Sequence, residues 1–90
     1  MRERISIDRA AEILSQSFSP CRCVAEIWDY RQKVRFRIFN HADEPLITLP
    51  KLTRAAVNNP QRLAGIIATV RERLRHRGIV LDDWAFPTEQ

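Results

Sequence analysis

Two periodicities divide the chain. Near the N-terminus apolar residues recur at Ile7, Ala10, Ala11, Leu14 and Phe18, a helical face whose start Ser6 or Asp8 can cap by accepting from free backbone N–H groups. Ser15, Ser17, Ser19 and Pro20 end that helix, because hydroxyl side chains compete for backbone groups and the residue before a proline is pushed out of the helical region.

From Cys21 the period becomes two. Cys21, Cys23, Ala25 and Ile27 point one way, and Arg22, Val24, Glu26 and Trp28 the other. A second run repeats the alternation more cleanly, with Val34, Phe36 and Ile38 on one face and Lys33, Arg35, Arg37 and Phe39 on the other. Asp29, Tyr30, Arg31 and Gln32 are few enough for a hairpin turn, although no glycine marks a tight one. Residues 40–44 form a polar turn, and residues 45–49 a short third strand at a sheet edge, where the missing N–H of Pro45 costs nothing.

Pro50 suits the first turn of a short helix reaching Asn58. Asn59 followed by Pro60 then starts a long helix whose stripe of Leu63, Ile66, Ile67, Val70 and Leu74 ends at Gly78, a residue suited to the left-handed conformation that closes helices. Trp84 and Phe86 are large enough to pack back on the body, and the residues from Pro87 onward are expected to be disordered. The predicted fold is one α+β domain: a helix, a three-stranded antiparallel meander, a short helix and a long helix. The first and long helices cover the sheet face made by Cys23, Ala25, Ile27, Val34, Phe36 and Ile38.

Composition agrees with a folded chain. At 90 residues and 44% hydrophobic content there is one domain, near the small end of what buries its own core. The longest uncharged apolar stretch, residues 63–70, falls far short of the roughly 20 residues a membrane helix needs. Asp8, Arg9 and Glu12 interrupt any signal-peptide core, so a cytoplasmic location is expected. Cys21 and Cys23 share a strand face about 6.5–7 Å apart at Cα, too far for a relaxed disulfide, and are read as reduced thiols. His41 and His76 stand at no ligand spacing from them, so no metal or other cofactor is expected.

Charge adds a candidate surface. Residues 1–81 carry all 15 basic side chains against eight acidic ones, while residues 82–90 carry three carboxylates, so the body is more basic than the overall +4. Thirteen of the basic residues are arginine, which codon bias produces as readily as selection for forked contacts. Lys33, Arg35 and Arg37 form a row flanked across the hairpin by Arg22, Glu26 and Trp28. Single-stranded nucleic-acid binders use basic sheet faces, but they set aromatics at the centre, whereas here the centre is charged and Glu26 can pair with an arginine. A second cluster, Arg71, Arg73, Arg75, His76 and Arg77, sits where the helix dipole favours cations and spreads around the helix. Glu72 can pair with Arg75 or His76.

The order helix, three strands, helix resembles that of double-stranded RNA-binding domains. The lysine-rich start of the last helix that grips phosphates in that family is replaced here by Asn59, Pro60, Gln61 and Arg62, so the resemblance stops at topology. A helix-turn-helix reading of the last two helices, with Gln61, Arg62 and Ala64 facing a groove, is weaker than their role as the sheet's cover. His41, Asp43 and Glu44 are the one close titratable grouping, and turn chemistry accounts for them without catalysis.

The remaining expectation is a non-catalytic interaction or regulatory domain. Val24, Trp28, Tyr30 and Phe39 around Arg22, Lys33, Arg35 and Arg37 would dock a protein partner, or a second copy through sheet faces or third-strand edges. Nucleic-acid binding through the same basic face and the helix-end arginines is the alternative, and an enzyme a distant third.

Overall fold

The computed structural model describes residues 5–86, with the side chain of Pro50 set aside. The disorder expected of residues 87–90 lies outside the described residues. Helix α1 spans Ile7–Gln16, capped by Ser6, whose Oγ accepts from the Arg9 N–H at 3.1 Å. Ile7, Ala10, Ile13 and Leu14 form its buried face. The helix ends before Phe18, which the helical spacing includes, yet Phe18 is fully buried in the turn that follows.

Strands β1 (Arg22–Trp28), β2 (Lys33–Phe39) and β3 (Pro45–Thr53) form the antiparallel sheet β1-β2-β3. β1 and β2 pair without a break from Arg22↔Phe39 to Trp28↔Lys33. β3 is longer than its alternation predicts and is interrupted twice. Ile38 faces Ile47 while Phe39 faces Pro45, which leaves Leu46 as an extra residue. Val34 faces Leu52 while Phe36 faces Leu49, so Pro50 and Lys51 together oppose Arg35. Pro50 therefore sits in a bulge at the sheet edge rather than in a helix, a place where its missing N–H breaks no ladder bond. Helix α2 is only Arg54–Val57, capped by Thr53, the last residue of β3.

Helix α3 runs Pro60–His76. Asn59 Oδ1 accepts from the N–H groups of Gln61 at 2.9 Å and Arg62 at 3.1 Å, and Pro60 occupies the first turn, where no donor is needed. At the other end the N–H of Gly78 donates to Arg75 O and that of Ile79 to Leu74 O, both at 3.0 Å. With φ of 83° at Gly78 this is a complete Schellman closure.

One core lies between the sheet's inner face and the two long helices. Val34, Phe36 and Ile38 of the central strand are fully buried against Leu14, Phe18, Leu63, Ile67 and Leu74. Phe18 and Phe36 stack at 5.8 Å between centroids. The inner residues of the edge strands, among them Cys23, Ala25, Ile27, Ile47 and Leu49, are half-buried. Residues 79–86 have no regular structure but return to the body, with Ile79, Leu81, Trp84 and Phe86 packed on the core. No helix among the described residues is long and apolar enough to cross a membrane.

Candidate functional site

The outer face of the sheet is the one the helices leave bare. The alternation that buries Val34, Phe36 and Ile38 turns Lys33, Arg35, Arg37 and Phe39 outward. The pairing register sets opposite them Trp28, Glu26, Val24 and Arg22 of β1, and on β3 Thr53 faces Lys33, Thr48 faces Arg37 and Pro45 faces Phe39. All of the candidate contact residues except Tyr30 thus share one surface. Tyr30 stands beyond its end, 93% exposed at the hairpin tip.

Most of the positive charge on this face is already compensated. Glu26 Oε1 accepts from both Nε and Nη2 of Arg35, at 3.0 and 2.8 Å. Arg22 Nε donates to Asp43 Oδ1 at 3.1 Å, and Lys33 Nζ lies 3.1 Å from Asp29 Oδ2. The cations also lie over rings: Arg22 over Phe39 at 4.4 Å, and Lys33 and Arg35 over Trp28 at 5.2 and 5.8 Å. Arg37, exposed at the middle of the face beside Val24 and Thr48, has no charged partner among the described residues. Lys51 is exposed in the bulge opposite Arg35. The surface is therefore a lattice of cations, rings and carboxylates around one open guanidinium, with the ammonium of Lys51 at its β3 edge.

The hairpin that carries Tyr30 is strained. Asp29, Tyr30 and Arg31 have φ of 57°, 54° and 65°, the left-handed region in which a Cβ crowds the following carbonyl. Three bonds hold it: Gln32 N–H to Asp29 O at 3.0 Å, Arg54 N–H to Gln32 O at 2.7 Å, and Arg31 to Asp8 of α1 at 2.5 Å. The opposite turn is built on Asn40, whose Oδ1 accepts from the N–H groups of Ala42 and Glu44, each at 2.9 Å. That turn delivers Asp43 to Arg22. His41 and Glu44 are exposed beside it, with Glu44 Oε1 accepting from Asn40 Nδ2 at 3.0 Å.

The second basic cluster is dispersed. Arg71 donates from Nη1 to Ser17 O at 2.6 Å and from Nη2 to Asp82 O at 2.7 Å, joining α3 to the end of α1 and to the returning C-terminal segment. Arg75 and His76 share Glu72. Arg77 reaches the carbonyl of Leu46, the extra residue of the β3 bulge, at 2.5 Å. Arg73 has no such contact among the described residues. The brace made by Arg71 is a role that side-chain type alone does not reveal, since it depends on where residues 79–86 run. Thr48, by contrast, lay within reach of the same period-two rule that placed Arg37.

An open groove of about 900 Å³ separates β3 from the C-terminal half of α3, lined by Leu46, Ile47, Ala68, Thr69, Arg73 and His76. Its carboxylate, Glu72, is held by Arg75 and His76. Cys21 and Cys23 are free thiols. Burial pushes the Cys23 thiol up to about 12, with the neighbouring Cys21 adding to the effect, and burial raises Cys21 as well. Among the described residues no three His, Cys, Asp or Glu side chains gather where they could hold a metal ion.

Comparison with curated proteins and with solved structures returns no match. A family model described as a protein of unknown function (DUF1652) matches residues 8–74. That stretch holds the entire sheet and its outer face but not the returning segment 79–86, and the chain belongs to this family.

Proposed function

We propose that this is a non-catalytic docking domain that binds a protein partner through the outer face of its sheet. The observation that carries the reading is the charge state of that face. Three of its five strand cations, Arg22, Lys33 and Arg35, are matched by Asp43, Asp29 and Glu26, which leaves Arg37 and the bulge residue Lys51 without a charged partner among the described residues. A face so compensated offers phosphates little net attraction, because affinity for nucleic acid grows with the number of cations free to displace counterions. It does offer what protein interfaces are built from: arginines held in place over aromatic rings and apolar surface at Val24 and Trp28.

The partner this surface fits presents an acidic group to Arg37, bordered by apolar side chains for Val24 and Trp28. A second copy docked face to face about the centre would set Arg37 against its own image, so a different protein is favoured. The helix-end arginines add little to a nucleic-acid reading, since Arg71, Arg75 and Arg77 are engaged within the chain. For catalysis the thiol of Cys23 is held in its protonated, unreactive form, and Glu72 is tied to Arg75 and His76. Free thiols suit a reducing compartment, and we place the domain in the cytoplasm.

Capture by the tagged full chain from extract, with and without nuclease, tests the reading. A protein should be retained after nuclease treatment. Trp28→Ala and Arg37→Glu should each weaken its retention at least ~10-fold, since anchoring aromatic and arginine side chains are worth about 2 kcal/mol or more. A complex that nuclease dissolves, or that neither substitution disturbs, would contradict it.

A further inference from the structure

The two edges of the sheet are built differently. β3 is protected against strand addition: it carries Pro45 and Pro50, Lys51 and two bulges, and Arg77 already occupies the carbonyl that one bulge releases. β1 has none of these devices. It is seven residues of unbroken register with neither proline nor lysine, and no charged side chain lies on its inner face. α1 packs on β1, and the backbone groups along β1's free edge have no partner among the described residues. An unguarded regular edge is a template for another strand.

The sequence of β1 also names the strand that fits. In an antiparallel pair centred on Val24, residues whose numbers sum to 48 stand opposite each other, so Arg22 meets Glu26 of the copy, Glu26 meets its Arg22, and Val24 meets itself. Two ion pairs thus flank an apolar contact on the outer face. On the inner face Cys23 stands opposite Ala25 and Cys21 opposite Ile27, which would bury side chains that are half-exposed in the single chain. Centring instead on Ala25 would face Val24 with Glu26 and leave both carboxylates without a cross-strand cation. Glu26 is prepared for the first arrangement, because Arg35 uses only its Oε1.

We infer that this chain pairs with a second copy of itself along β1, centred on Val24, to make a continuous six-stranded antiparallel sheet. The two-fold axis stands perpendicular to that sheet, so both outer faces lie on the same side and join into one surface carrying Arg37 twice. The inference does not depend on what the outer face binds.

Sedimentation of the full chain at micromolar concentration tests it together with oxidative cross-linking. The chain should sediment as a dimer. In a Cys21→Ser, Cys23→Ala background, Val24→Cys should form a covalent dimer, since opposed residues of an antiparallel pair lie about 4.5–5.5 Å apart at Cα, within disulfide reach. Thr48→Cys on β3 should not cross-link. Val24→Lys, which sets two cations against each other, should shift the sedimenting species to monomer while leaving the circular-dichroism spectrum unchanged. A strict monomer at 100 μM or more, or a dimer that cross-links through Thr48→Cys and not Val24→Cys, would overturn the inference.

Discussion

Cys23 shows how placement decides chemistry at the scale of one residue. In the Cys21-Arg22-Cys23 sequence the alternation sets it on the inner face of β1, where it is packed against the core and burial disfavours the thiolate. The unfolded chain ionises near the ordinary value of 9.0 and the folded one at about 12. The stability this difference represents is present in full below the unfolded value and is lost as pH rises toward the folded one, because only the unfolded state then releases the proton. Denaturant unfolding between pH 8 and 11 should therefore show a decline in stability that is shallower in Cys23→Ala, and an identical slope in the two proteins would count against the burial. Arg37 is the opposite case, a polar side chain whose meaning lies in lacking a charged partner among the described residues. The alternation of Val34, Phe36 and Ile38 was enough to place it, and Glu26 was legible as an arginine's partner from the hairpin spacing. The engagement of Arg22 by Asp43 was not, because it requires the Asn40 turn to fold Asp43 back over the sheet.

At the scale of the element, the hairpin tip and the α3 brace are the places where local preference and final structure part. Three successive left-handed residues without a glycine cost roughly 1–2 kcal/mol each. Tyr30→Gly should relieve one of them while returning about 0.5–1 kcal/mol through the greater freedom of the unfolded chain, so a net gain between zero and ~1.5 kcal/mol is expected in chemical denaturation. A loss of stability would mean that the Tyr30 side chain contributes to the fold. Arg71 is a different device, one side chain holding two carbonyls from segments far apart in sequence. Arg71→Ala should cost about 1.5–3 kcal/mol, the range for hydrogen bonds to charged groups. It should also speed amide exchange at Asp82, whose N–H donates to Ser19 O at 2.8 Å. Arg71→Lys should restore little, because a single ammonium does not reproduce the fork. Unchanged exchange at Asp82 in Arg71→Ala would contradict the brace. β1, β2 and α3 were readable because each repeats one period over many residues and, in α3, ends on unambiguous caps. The alternation predicts too short a β3 because a proline after a short apolar run looks like a helix start, and a bulge that absorbs it leaves no mark in the pattern of polar and apolar residues.

The whole molecule divides its sheet into a face covered by the helices and a face left bare. The inner face and the two long helices make a core in which no buried side-chain nitrogen or oxygen among the described residues lacks a partner, Ser17 included, its Oγ donating to Ile13 O at 2.5 Å. The outer face carries rings and cations held in position by their neighbours. Three of the cations on this face are paired within the chain, and Arg37, in an aromatic and aliphatic setting, and Lys51 stand without a charged partner among the described residues. The measurement that tests this account most directly is photo-crosslinking from position 48, with a photoreactive side chain in place of Thr48 next to Arg37, compared with one in place of Gln61, exposed in the first turn of α3. The account predicts a protein adduct from position 48 that disappears when Arg37→Glu is added and is absent from position 61. A nucleic-acid adduct, or the same protein adduct from both positions, would contradict it.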